Sequence, residues 1–253
     1  MKIMQLTNQQ VQKVITESIL RKSINTLKDI LDSLLESNND AVLLQINKVL
    51  SSPANLSLII RKILGDSAAF RKVGKESYYH ENGFHKIVIL SGKNFKLRLH
   101  HFGAQAKIPM ENIHDHRWAF ASSILTGSLK MDLFKADDNE GEQLIHYQYN
   151  SIKTNGKYST DVIGSAKLKV IETKEFIAGQ QYLMTCEDLH RILNKAGEES
   201  MTLILTGKPE NVTCNLYARK AIEDNEKSTI PYEKKQLKRM LVQISEKIFP
   251  ILN

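Results

Sequence analysis

The sequence predicts a mainly β protein, an antiparallel sandwich or barrel between a helical N-terminal layer and a C-terminal helix. Three observations carry that expectation. Before about residue 65 apolar residues recur at spacings of three and four, the period of an amphipathic helix. After about residue 75 the chain breaks into short β-rich runs separated by Gly, Asn, Asp or Ser, with no helical pattern between them. Beyond about 220, Leu237, Met240, Leu241, Ile244 and Ile248 return to helical spacing.

The elements follow in order. Thr7 and Gln10 form a capping-box pattern that starts the first helical stretch. Ile24, Leu27, Ile30, Leu31, Leu34 and Leu35 make an apolar stripe, which Asn38-Asn39-Asp40 interrupts. A next helix carries Leu43, Ile46, Val49 and Leu50. Ser52-Pro53 reads as an N-cap with proline at the first turn, and a short helix over about 56–64 stops near Gly65. The strand runs are HKIVIL, NFKLRLHHF, WAFASSIL, SLKMDLF, HYQYN, KLKVIE, QYLMT and MTLILT, with KADDNEGEQ as a polar loop. This divides the chain into a helical layer at 1–70, a barrel at 75–220 and a helical extension at 221–253.

Bulk properties narrow the function. The 253 residues, 42% hydrophobic and 25% charged, belong to an ordinary globular chain able to bury a sizeable core. No apolar run reaches the roughly 18–20 residues of a membrane span, and the N-terminus lacks the apolar segment of a signal peptide, so a cytoplasmic location without membrane partners is expected. The net charge of +7 is spread along the chain. Its one dense cluster, YEKKQLKR, lies opposite the apolar stripe of the last helix, which suits a solvated face and argues against a nucleic-acid partner. Cys186 and Cys214 are too few for a disulfide framework and read as free thiols. Cys186 lies four residues before His190, but no orienting partner is visible for a Cys–His nucleophile.

The segment ENIHDHRWAFASSILTGSL, residues 111–129, holds the first chemical signal. On an extended strand His114 and His116 project to one face, continued by Trp118 and Phe120, while Asp115 and Arg117 point the other way. Two adjacent inward imidazoles need partners for their ring nitrogens, and a shared metal ion supplies one to each. A second segment, GQQYLMTCEDLHRILN, places Gly179, His190 and Asn194 around a strand–turn–strand.

Together these segments resemble the cupin superfamily. His114-x-His116, Phe120 in the position of the usual Glu, and Gly127 follow its first motif; Gly179, His190 and Asn194 follow its second. Thr185 and Glu187 replace the customary Pro and Gly, so the turn before His190 must be built differently. The missing Glu, with G-x-L-K-x-x-L-F after IHDH and the stretch LHRILN, is similar to cysteine dioxygenase and its three-histidine thiol dioxygenase relatives over roughly 80–220. That resemblance implies a cupin jelly-roll barrel, a double-stranded β-helix, with His114, His116 and His190 as metal ligands. It further implies Fe(II), with Ni, Zn or Mn as other divalent occupants, and oxidation by O2 of a small-molecule substrate, a thiol or amino-acid derivative. Lys86 aligns best with the family's carboxylate-binding arginine, and Thr206 or Gly207 falls where the family carries a tyrosine. Further substrate-binding candidates are Arg98 and His100, which share a strand face with His101 opposite, together with Trp118 and Tyr182. A non-redox metal-dependent isomerase or hydrolase and a non-catalytic ligand-binding protein remain alternative readings.

Overall fold

The computed structural model describes residues 7–37, 39–104, 110–154, 157–193, 197–222, 226–227 and 229–248. Among these residues five helices come first: α1 (Asn8–Arg21), α2 (Ile24–Leu34), α3 (Asp40–Leu50), α4 (Pro53–Gly65) and α5 (Ser67–Glu76). Each start has a side-chain cap that satisfies an otherwise orphaned N–H, from Thr7, Ser23, Asn39, Ser52 and Asp66. Thr7 and Gln10 close a reciprocal capping box, and Pro53 sits where its missing N–H is harmless. The helical layer is longer than the periodicity suggested. The helix expected over about 56–64 starts at Pro53, and α5 is additional. Its stripe is only Phe70 and Val73, two buried positions that periodicity hardly registers.

Among the described residues thirteen strands follow, in two antiparallel sheets. The strands are β1 (Tyr78–Tyr79), β2 (Phe84–Ser91), β3 (Lys96–Phe102), β4 (Ile113–His114), β5 (Phe120–Thr126), β6 (Ser128–Ala136), β7 (Glu142–Thr154), β8 (Lys157–Ile177), β9 (Gln181–Met184), β10 (Leu189–Leu193), β11 (Ser200–Thr206), β12 (Thr213–Ala218) and β13 (Glu226–Lys227). One sheet runs β1-β2-β3-β11-β5-β9; the other runs β13-β8-β6-β10-β4-β12-β7, with β8 also paired to β7. From β3 to β6, and again from β9 to β12, the chain alternates between the sheets. That alternation is the double-stranded β-helix, or jelly roll, expected from the sequence. Helix α6 (Lys234–Ile248) closes the described chain.

The alternation of side chains along β3 builds three layers. Leu97 and Leu99 face outward and are buried beneath the helices, in one cluster with Ile15, Leu31, Ile46, Leu50, Ile60 and Leu237. Arg98, His100 and Phe102 face the other sheet, where Phe102 packs with Phe84, Phe120, Leu129, Met131 and Ile204. Burying each such aliphatic side chain contributes about 1.5–3 kcal/mol, so the helical layer is covered only if sheet and helices form together.

Asn47 fastens α3 to that sheet. It is fully buried, donates to the Ala121 and Leu203 carbonyls at 3.2 and 3.1 Å, and accepts from Ser123 Oγ and Gln181 Nε2. The last helix matches its expected polarity: Leu237, Leu241, Ile244 and Ile248 are buried, whereas Lys234, Lys235 and Lys238 are exposed. Among the described residues no helix is long and apolar enough to cross a membrane.

Candidate metal centre

Strand β4 is only two residues long, yet it lies between β10 and β12. His114 on β4 is the register partner of His190 on β10. Directly opposed antiparallel residues project to the same face, so pairing alone brings two imidazoles 76 positions apart into contact. The continuous strand expected through His116, Trp118 and Phe120 is not formed. After His114 the chain leaves the sheet, bends at Arg117 and Trp118, and re-enters the other sheet at Phe120. His116 therefore reaches the centre from the crossing segment rather than by strand alternation.

The three rings converge nonetheless. Ring centroids lie 4.9 Å apart for His114–His116, 4.6 Å for His114–His190 and 5.1 Å for His116–His190. One nitrogen from each falls within 4.8 Å of the others. His114 Nδ1 donates to the Asn112 carbonyl at 2.9 Å, and His190 Nδ1 donates to the Asp188 carbonyl at 3.1 Å. Those bonds fix the tautomer and turn a lone pair at Nε2 toward the centre, the arrangement a metal-ligating histidine needs. Burial, reinforced by the neighbouring imidazoles, holds His116 well below the usual histidine range and brings His190 down to about 3. Burial thus keeps His116 and His190 as neutral bases, and small side-chain rotations would bring all three rings onto one divalent ion.

The turn that carries His190 replaces the customary Pro and Gly with a side-chain clamp. Thr185 donates to Asp188 Oδ2 from both its backbone N and its Oγ1, at 2.6 and 2.8 Å, and Glu187 N donates to Thr185 Oγ1. The motif glycines sit where positive φ is required, Gly127 at 71° and Gly179 at 90°. Phe120, in the position of the usual Glu, places its ring 4.9 Å from His116 and 6.1 Å from His190 as an apolar wall. Asp115 accepts from Asn215 N and Nδ2 at 2.7 and 2.5 Å, which ties the crossing segment to β12. Asn194 lies outside the described residues.

A cavity of about 350 Å3 opens beside the histidines. Lys86, Arg98, His100, Trp118 and Tyr182 all line it. Lys86 Nζ donates to Tyr78 OH at 3.0 Å; burial, then Arg98 and Lys96, keep its ammonium well below the ordinary lysine range. Arg98 stacks 4.8 Å above the Trp118 ring, and that indole lies 6.0 Å from His116. His100 stacks on Phe84, and burial together with Lys86 and Arg98 keeps it neutral. Tyr182 stacks on Phe176, and burial pushes its phenol up to about 12. Thr206 and Gly207 line the same cavity without a phenol. His101 faces outward, bonded to Glu199 at 2.6 Å.

Sequence reading missed Tyr78, Glu111, Arg117 and Tyr149 in this lining. Arg117 sat inside the first motif but strand alternation assigned it outward; in the bend it stacks 4.7 Å from Trp118 instead. Glu111 is buried, accepts from Ile192 N at 3.3 Å and is raised by burial above the usual carboxylate range. Cys186 and Cys214 are free, and burial raises both thiols to about 12, which disfavours the thiolate a Cys–His nucleophile needs.

No protein-family model matches the chain, and no curated protein matches it. Among solved structures, a polyketide cyclase from Streptomyces resistomycificus is 11% identical with a TM-score of 0.37, covering 59% of this chain and 83% of that one. Hydroquinone 1,2-dioxygenase from Sphingomonas sp. TTNP3 is 11% identical with a TM-score of 0.32, covering 50% and 66%. A cupin-2 domain protein from Shewanella frigidimarina is 13% identical with a TM-score of 0.28, covering 49% and 79%. At these values the likeness assigns this chain neither a reaction nor a substrate. What the chain itself presents is a jelly-roll barrel with three inward histidines that could hold a metal ion.

Proposed function

We propose that this protein is a mononuclear metal enzyme, holding one divalent ion on His114, His116 and His190 and oxidising a small thiol or amino-acid-like substrate with O2. The observation that supports it is the convergence of three imidazoles, two with Nδ1 bonded outward, beside a cavity. Imidazoles do not by themselves select iron over nickel, zinc or manganese; Fe(II) is the reading that accounts for an oxygenase. His114, His116 and His190 would hold such an ion, which would supply the chemistry that activates O2.

The chain's own residues supply the rest. Phe120 and Trp118 set aromatic rings against His116 on the cavity side. Lys86, Arg98, His100 and Tyr182 are the groups proposed to orient the substrate. Elemental analysis of protein prepared without added metal is expected to give about one equivalent. His114→Ala, His116→Ala and His190→Ala should each lose it, and full retention in all three would defeat the assignment. Oxygen uptake with a panel of thiols tests the reaction; turnover without uptake would replace the oxygenase by a non-redox metal enzyme.

A further inference from the structure

A second group of histidines lies on the outer face of the β2–β3 pair, away from the cavity. His85 on β2 is the register partner of His101 on β3, and their rings stack with centroids 5.7 Å apart. Each ring also has a partner from elsewhere in the chain. His101 Nε2 lies 2.6 Å from Glu199 Oε1, and Lys247 of α6 bonds the same carboxylate. His85 Nδ1 lies 2.6 Å from Tyr232 OH.

Tyr232 belongs to a short strap, residues 229–233, between β13 and α6. Its other attachments are thin. Pro231 makes an isolated bridge to Tyr78, Tyr232 N donates to the Ser77 carbonyl at 3.4 Å, and Ile230 is 81% exposed. Helix α6 is anchored separately, its Leu237, Leu241, Ile244 and Ile248 buried with the helical layer, so the strap can lift while the helix stays. The contact with His85 is much shorter than the Tyr232–Ser77 bond and is the hold on which the strap depends.

That hold is sensitive to a proton. The titratable groups around His85 are Tyr79 on β1, Tyr232 on the strap and His101 on β3, with Glu199 and Lys247 behind His101. Glu199 meets a charge on His101, whereas no carboxylate bonds His85 among the described residues. A protonated His85 can donate to the Tyr232 oxygen only by keeping a cation half-buried beside a second imidazole; swung into water, it has the lower free energy. Burial, then His101, holds the docked His85 below the usual histidine range. The solvated ring therefore takes the proton more readily, so docking is intact above about pH 6.5 and weakens as pH falls below it.

We infer that residues 229–233 form an acid-released strap: neutral His85 holds Tyr232, and protonated His85 lets it go and frees β1. Tyr78 on β1 lines the cavity and accepts from Lys86, so release loosens that wall. That this wall bounds a substrate site rests on the metal-enzyme reading; the release of the strap does not.

Hydrogen exchange of the whole chain, read by mass spectrometry at pH 7.5 and 5.5 and corrected for intrinsic rates, tests it. Peptides spanning 77–80 and 229–236 should lose about fivefold in protection at pH 5.5, the equivalent of about one hydrogen bond. Strand β11 and residues 237–248 should keep theirs. His85→Gln, which does not titrate, should remove the step, and Tyr232→Phe should leave the strap loose at both pH values. No step in the unaltered protein overturns the inference, as does an equal step in β11 or a step that survives His85→Gln. If His85→Gln does not fold, Tyr232→Phe decides: a step as large as in the unaltered protein overturns it. Elemental analysis of the same samples reads the metal separately: no metal with the step intact sinks the metal-enzyme reading and leaves the strap standing.

Discussion

Asp132→Ala should damage the metal centre without touching it. Asp132 on β6 and Arg191 on β10 are register partners, one residue from His190 on the opposite strand face. Asp132 Oδ2 accepts from Arg191 Nε at 3.0 Å and Nη2 at 2.9 Å, and Oδ1 accepts from Thr173 Oγ1 at 2.6 Å. Their side chains are only 7% and 13% exposed. Removing one partner of a fully buried pair costs about 3–5 kcal/mol because the other charge is left unpaired; the remaining water contact of Arg191 reduces this to about 2–4 kcal/mol. For a chain of this size that is a fall of about 5–15 °C in Tm. Because the pair fixes the strand that carries His190, metal affinity should drop about tenfold, the scale of losing an outer partner of a ligand. Urea unfolding of metal-free protein gives the first number and metal titration the second. Asp132→Leu combined with Arg191→Met, which removes both charges, should cost less than Asp132→Ala alone. A loss under about 1 kcal/mol with unchanged metal affinity would refute this coupling.

Other expectations follow from the same geometry. His190 is depressed to about 3 in the folded state against about 6.5 when unfolded, so the unfolded chain binds the extra proton between those values; metal-free protein should lose stability as pH falls from about 6.5 toward 3, and in His190→Leu that slope should be shallower. Thermal melts across that range check it, and an unchanged slope in His190→Leu would contradict it. Gly127→Ala should destabilise by about 3 kcal/mol or more, because a Cβ there meets the Glu199 carbonyl oxygen at 2.3 Å on top of the positive φ. Gly179→Ala, with nothing within 4 Å of the added carbon, should cost only about 1 kcal/mol of backbone strain; equal losses in denaturant melts would contradict the steric argument. Both cysteines, with thiols near 12, should resist iodoacetamide at pH 8 in the folded protein and react once it unfolds.

Features that depend on near neighbours in the chain were readable from the residues alone. Alternation along KLRLHHF already puts Arg98 and His100 on one strand face and His101 on the other, because strand side chains alternate whatever lies above them; which face turns inward came from the packing of the sheets. The caps at Thr7 and Ser52 and the wet face of α6 were legible for the same reason: each depends on neighbours within a turn or two. Tertiary structure decided what depends on partners distant in the chain. Strand β12 was invisible in TCNLYA because its pairing with β4 and β7, not its own pattern, makes it a strand. Arg117 joins Trp118 at the cavity because the chain must cross between sheets there, which no local period predicts. Above all, His190 meets His114 through cross-strand register, and register is set by the closing of the whole barrel.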